Sequence, residues 1–463
     1  MVCRSLLVNE KGVALAGNTV WNVARTISLC AFPILFAVAP AAQSPFSGSY
    51  PLLDEEVIHY KSTPPNDLVA RLQRRLDDGK ATLTFEKPNG YLLSVLRQLH
   101  VVPSSQLLVF SKTGFQQNLI SPTTPRALYF SDSVYVGWVK GGEVLEVASV
   151  DPKQGTMFYT LDQRLTPKPS FVRREECLQC HASPKTVGVP GLLMRSVFPA
   201  ANGAPQLQAG SFFTDQSSPL KERWGGWYVT GTHGVQRHMG NVWSKENAHP
   251  DRLDTQAGAN VTSLTGRFDG SAYPAMHSDL VALMVLAHQT HLHNLISRVN
   301  WEVRIALSQQ ATLNTPVGAS SETWSDSTRN HLHDSVEALL RCMLFTDEAK
   351  LEAPIQGTTE FSKVFVSAGP KDRAGRSLRD LDLKRRMFRY PCSYLIYSEA
   401  FDSLPRPALD YYYHRLWDIL TGKAQEPDYA DLSRVDRKAI LSILRQTKTS
   451  LPSYWRAAKS ASR

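Results

Sequence analysis

Between residues 106 and 161 the apolar residues come in five short runs, at 106–110, 127–130, 134–139, 144–150 and 157–161. Each is rich in Val, Tyr and Phe, and Gly, Pro and Asp separate them, a pattern that predicts β-strands. Gly141-Gly142 predicts a hairpin turn between two of them. Upstream the spacing is helical, with Asn66-Asp67 capping a helix at 68–76 and a second helix at 91–99. Strand signals return at 192–198 and 206–213, on either side of the turn dipeptide Asn202-Gly203, and again at 224–230. Residues 244–275 are polar and Gly-rich and predict a long loop or linker.

From Ser278 the apolar positions recur at three and four: Leu280, Leu283, Met284, Leu286 and Ala287, then Leu295, Ile296, Val299 and Val303. Ser278-Asp279 caps this helix, which is predicted to run to about 310. A polar loop at 312–327 and a helix at 329–351 follow. Further helical stretches lie at 393–401, 407–420 and 434–447, the last capped by Ser433. The fold class is therefore α+β: a β-rich N-terminal region followed by a mainly α-helical C-terminal region. The segments are a signal peptide at 1–41, a leader at 42–63, an α+β domain at 64–245, a linker at 246–277 and a helical domain at 278–463.

The signal peptide rests on Arg25, the apolar run at 27–38, and the small residues Ala39, Ala41 and Ala42 after it. That order fits an export signal cleaved after Ala41 or Ala42. An uncleaved anchor is the alternative, although the run is short for a membrane span. No later stretch holds about 18 uninterrupted apolar residues, which excludes a polytopic membrane protein. The net charge is +9. It suits steering toward an acidic redox partner protein or an anionic membrane face, with peripheral membrane association as the second case. The basic residues are scattered and no binding motif appears, which argues against nucleic acid.

Of six cysteines, Cys3 and Cys30 leave with the signal. Cys342 and Cys392 are open to pairing in an oxidising compartment or to burial as small hydrophobes, and burial is the preferred reading. Cys177 and Cys180 belong to Cys177-Leu178-Gln179-Cys180-His181, the C-x-x-C-H pattern of covalent haem attachment. Two thiols three positions apart on one helical turn can each add to a vinyl group of one haem. The adjoining His181 then meets the iron as proximal ligand. Zinc would want a second Cys or His pair, and a redox dithiol would want a strand before it and a helix after it. Neither context is present: Cys342 and Cys392 are 50 residues apart, and Ser183-Pro184 and Gly188-Val189-Pro190-Gly191 break the chain within ten residues of the motif.

At this pentapeptide the chain resembles the c-type cytochromes. The resemblance implies one covalent haem c held by Cys177 and Cys180, with iron on His181. It departs from small class I cytochromes c, whose motif opens an all-α domain, because here the motif lies deep in the chain between strands. The arrangement more loosely resembles periplasmic sensory domains of PAS type that carry a c-type haem. With its segments 223–231 and 376–398, the chain is also similar to a large uncharacterised family of exported bacterial haem-motif proteins, a likeness that implies no particular reaction.

Met194, Met239, His233, His238 and His288 are candidate distal ligands. Met239 or His238 is preferred, because 230–241 gathers two His, one Met and three Gly after a Trp-rich segment. Met194 reads better as a strand core residue, and an open or water-bound position is the remaining case. His288 and His291 share a helix face. An antiparallel second helix would bring His288 to Asp347 and Glu348 as a buried pair or added metal site, and the plainer expectation is one buried pair with His291 and His293 exposed. The run Arg376, Arg379, Asp380, Asp382, Lys384, Arg385 and Arg386 reads as a solvated face, or else as a docking surface or a clamp on haem propionates. Tyr390, Tyr394, Tyr397 and Tyr411–Tyr413 read as packing rather than electron relays.

The expected function is that of an exported monohaem c-type cytochrome in electron transfer. A periplasmic haem-based sensor or ligand-binding module is the alternative. A haem oxidoreductase ranks last, because no acid–base or nucleophile constellation supports it, and no catalytic residue is assigned.

Overall fold

Asp67 opens the first helix, α1 (Leu68–Asp77), by accepting the Val69 and Ala70 N–H groups at 2.8 and 3.2 Å. The computed structural model describes residues 57–456 apart from 246–248, 250, 315–323 and 425. The predicted signal peptide lies outside the described residues. At the end of the predicted leader, Ile58 and Tyr60 are buried, and the Tyr60 hydroxyl donates to the Thr156 carbonyl at 2.8 Å. Helix α2 (Leu92–Gln98) follows.

Six strands then form one antiparallel sheet in sequence order: β1 (Leu107–Val109), β2 (Arg126–Phe130), β3 (Val134–Trp138), β4 (Val144–Asp151), β5 (Gly155–Asp162) and β6 (Phe171–Arg173). Residues directly opposite each other share a face. The register sets Tyr129, Val136, Val147 and Tyr159 in one row. All four are buried, in a core that includes residues of α1 and α2. The other face carries Leu128, Gly137, Glu146, Thr160 and Val172 in one row, and Phe130, Tyr135, Ala148 and Phe158 in the next.

Segment 224–230 corrects the sequence reading. Positive φ at Trp224 and Gly226, 67° and 85°, breaks the extended run, so no strand forms. The segment runs beside β1 instead, where Gly226 accepts the Phe110 N–H and Tyr228 donates to the Leu108 carbonyl, both at 2.9 Å. The hairpin strands β7 (Arg195–Val197) and β8 (Ser211–Phe213) are shorter than expected. Two-residue strands β9 (Gly231–Thr232) and β10 (Gln356–Gly357) pair across the chain. Within the irregular segment 251–277, Leu264, Phe268 and Tyr273 are buried against the sheet's core.

Helix α4 (Leu280–Asn314) starts where Asp279 accepts the Val281 and Ala282 N–H groups. Residues 280–287 are apolar on every side and all buried, as expected of a helix enclosed by its protein. Its Gln289 amide donates to the Tyr135 hydroxyl at 2.6 Å, which fixes it over the second face of the sheet. Helix α5 (Asp326–Met343) returns antiparallel, with Thr328 donating to Gln310 and Ser335 to Glu302. It stops eight residues short of the predicted 351, because Phe345 adopts φ 57° and ends the turn. The short α6 (Phe361–Ser367) and α7 (Glu399–Asp402), then α8 (Arg406–Thr421) and α9 (Arg434–Thr447), complete the helical half, whose core is continuous with residues of β1, β2 and β3. The class is α+β. Among the described residues, no helix is long and apolar enough to cross a membrane.

Candidate functional site

Beyond β6 the chain stays on the sheet for one more residue. Arg174 donates its N–H to the Phe158 carbonyl and its Nε to Thr160 Oγ1, each at 2.8 Å. The backbone then coils at Cys177 into the single turn α3 (Leu178–His181), with Cys180 and His181 both donating to the Cys177 carbonyl. Leu178 is buried and pins the turn to the core. Cys177 is left half-buried and Cys180 exposed, and neither is in a disulfide. One short helix thus places the two thiols and the imidazole together, as the spacing predicts.

His181 is oriented from three directions. Its ring lies 4.8 Å from the Phe158 ring, centroid to centroid. Its Nδ1 meets the Gly191 carbonyl at 2.9 Å, and the Gly191 N–H donates back to the His181 carbonyl at 2.8 Å. A carbonyl only accepts, so Nδ1 carries the proton and Nε2 the lone pair. Nε2 has no hydrogen-bond partner among the described residues. Burial holds the ring below the usual imidazole range, so it is neutral at neutral pH. A neutral imidazole whose other nitrogen is tied to a backbone carbonyl is the form that ligates a metal ion.

The loop that supplies the Gly191 carbonyl is secured by α4. Asn294 accepts the Leu192 N–H at 2.9 Å and donates to the Leu192 carbonyl at 2.8 Å. Arg298 donates to the Val187 carbonyl at 3.0 Å, and Thr186 Oγ1 to the Val189 carbonyl at 2.7 Å. A methyl group on Gly191 would lie 2.7 Å from Asn294 Cγ, so this approach requires glycine. Sequence reading noted Pro190-Gly191 only as a chain breaker. It missed the carbonyl's role because the supporting Asn294 is far along the chain.

Burial, with the Glu176 and Glu146 carboxylates, pushes the Cys177 thiol up to about 11. That is the wrong direction for a redox dithiol, which works through a low-pKa thiolate. Among the described residues, no group of three or more His, Cys, Asp or Glu is placed to hold a metal ion, so zinc lacks its ligand cage here. One exposed thiol, one half-buried thiol and a neutral imidazole with a bare Nε2 do fit a covalently tethered haem.

The candidate distal ligands are not joined to this turn: no hydrogen bond or ring contact links any of them to His181. Met239 Sδ accepts from Ser196 Oγ at 3.6 Å. His238 accepts the Gly240 N–H at Nδ1 and packs between the Trp224 and His233 rings, and burial pushes it down to about 3. His233 accepts the Asn260 N–H at Nε2, and Met194 lies in the core.

His288 does not pair with Asp347 or Glu348. Its ring is bonded to Gln216 at Nδ1 and to Ser393 at Nε2, and stacks on Phe345 at 4.4 Å. The early end of α5 puts a ring where carboxylates were expected, and Asp347 pairs with Arg341 instead. His293 is buried rather than exposed, and donates to the Asp132 carbonyl at 2.7 Å. His291 Nε2 lies 3.8 Å from Asp215. Much of the basic run is spent internally: Arg376 on Asp372, Arg379 on Asp132, Arg385 on Asp382 and Arg386 on Asp436. Arg379 is buried over the Tyr394 ring at 4.3 Å, so the run is only partly a solvated face. Tyr394, Tyr412 and Tyr413 are core packing, and Cys342 and Cys392 are buried and unpaired.

No protein-family model, curated protein or solved structure matches this chain.

Proposed function

We propose that the chain is an exported single-haem c-type cytochrome that transfers electrons. The observation that carries this reading is the hydrogen bond from His181 Nδ1 to the Gly191 carbonyl. It sets the tautomer an iron needs, on the same turn that presents Cys177 and Cys180. In this role the two thiols tether the group and Leu178 holds the tether to the core. Phe158, Gly191 and the α4 residues behind it fix the plane of the imidazole. Haem iron so held supplies one-electron chemistry, and its potential follows axial ligation, burial and nearby charge. Attachment through C-x-x-C-H belongs outside the cytoplasm, which accords with the apolar run at 27–38.

The test is expression with c-type haem-attachment machinery. The expected product carries one red pigment that survives acid-acetone extraction, and C177S/C180S abolishes it while H181A disturbs the iron spectrum. Colourless wild-type protein under those conditions refutes the proposal.

A sensor or ligand-binding role is the second reading. It is favoured by the hydrogen bonds that His238 and Met239, the two preferred distal ligands, already accept from Gly240 and Ser196. Rapid carbon monoxide binding to the reduced protein would select this reading, and a six-coordinate iron inert to carbon monoxide would select electron transfer.

A further inference from the structure

The sheet is not covered evenly. On the face that carries the row Leu128, Gly137, Glu146, Thr160 and Val172, the His181 turn covers β5 at Phe158, in the adjoining row, and Thr160 is buried there. Toward β2 it stays partly open: Leu128, Glu146 and Ala148 are not fully buried, and Gly137 adds no side chain. An ion pair stands in the middle, with Arg126 Nη1 3.1 Å from Glu146 Oε2. Both side chains are mostly buried, and Arg126 Nε is sealed from solvent with no acceptor among the described residues.

The loop 113–120 forms the far wall. Gln116 donates to the Glu146 carboxylate at 3.1 Å and to the Val144 carbonyl at 3.0 Å, and Gly114 packs against the Arg126 guanidinium. This loop holds two of the molecule's few exposed large apolar side chains, Phe115 at 63% and Leu119 at 42%. Glu146 lies opposite Thr160, whose Oγ1 accepts from Arg174 three residues before Cys177, and Phe158 on the same face of that strand packs on the His181 ring. The ion pair and the attachment turn are therefore neighbours over one stretch of sheet.

We propose that this stretch, floored by Arg126 and Glu146 and walled by the Cys177–His181 turn and the 113–120 loop, is the seat of the haem, and that the two buried charges set its reduction potential. The inference rests on the haem reading above and adds which residues face the group. A buried carboxylate stabilises the ferric state, which has the extra positive charge, and a buried guanidinium destabilises it. The partly exposed Arg126 guanidinium gives a haem carboxylate a donor to meet.

The test compares wild type, E146Q, R126Q and the surface control E399Q, all matured with haem. E146Q is expected to raise the midpoint potential, R126Q to lower it, and E399Q to leave it in place. In a second measurement, F115C is labelled with maleimide in haem-loaded protein and in the haem-free C177S/C180S background. The thiol is expected to react at least about tenfold more slowly when haem is present. Covalent haem with both potentials unmoved, or with Cys labelling at 115 indifferent to it, overturns the seat while leaving the haem reading intact. If the charge variants fail to fold, the labelling comparison decides alone. Wild-type protein without covalent pigment overturns the haem reading itself, and the seat with it.

Discussion

Replacing Gly191 with alanine perturbs the site at the point where α4 holds the loop behind His181. The new methyl carbon would sit 2.7 Å from Asn294 Cγ and 3.0 Å from Thr186 Cβ, well inside contact distance. Thr186 is tied down by its bond to the Val189 carbonyl, so the Asn294 amide is the group that yields. Its two hydrogen bonds to Leu192, at 2.9 and 2.8 Å, are then lost or stretched, and Leu192 is buried. At about 1–1.5 kcal/mol for each buried group left short, G191A is expected to cost about 2–3 kcal/mol. N294A abandons the same two backbone groups and costs a similar amount. The two effects overlap, because an alanine at 294 leaves room for the methyl group. The double variant should therefore be little worse than N294A alone, a coupling of about 2 kcal/mol. Urea unfolding followed by tryptophan fluorescence reads all three variants. Simple additivity, or a G191A protein within about 0.5 kcal/mol of wild type, would refute the account of how this loop is held.

Three further outcomes follow from buried polar groups. Asp279 is fully buried and accepts five donors, from Val281, Ala282, Thr358 and, twice, Thr359; D279A is expected to destabilise by about 3–5 kcal/mol, and thermal unfolding at parity with wild type would contradict this. Burial pushes Glu348 up to about 7 from an ordinary value of 4.5, so the folded protein keeps a proton that the unfolded chain releases; this contribution is complete below about pH 4.5 and is lost as pH rises through 7. Stability should fall by up to about 3 kcal/mol across that window, and E348Q should flatten the profile; an unchanged slope in E348Q would assign the dependence elsewhere. In haem-free protein at neutral pH, mass-mapped thiol labelling should proceed in the order Cys180, then Cys177. Cys392, pushed up to about 12 by burial, and the buried Cys342 should stay silent until urea is added; early labelling of either would contradict their burial.

The strands and most long helices were legible because their signals are local. Asp67, Ser278-Asp279 and Ser433 mark helix starts, and Val- and Tyr-rich runs between turn formers mark strands β1 to β5. The helical turn at Cys177–His181 was legible for the same reason, its three chemical groups lying within five residues. What escaped depends on tertiary placement. Segment 224–230 has strand-like composition, but left-handed residues at Trp224 and Gly226 turn it aside. Phe345 ends α5 within a stretch of good helix formers, and that ending decides what faces His288. The carbonyl of Gly191, the support from Asn294 and the ion pair between Arg126 and Glu146 reach across 10, about 100 and 20 residues, beyond any spacing rule.

Neither margin of the six-stranded sheet offers much to another chain. β1 contributes three residues, and its Leu108 carbonyl and N–H are already met by the Tyr228 N–H and Ser278 Oγ of the same molecule. β6 is also three residues long, ends at Arg173, and the chain leaves it through Arg174 into a helical turn. A segment that tried to add itself as a seventh strand would find either an occupied template or a short one bordered by positive charge. That arrangement disfavours edge-to-edge aggregation, the common hazard of open antiparallel sheets.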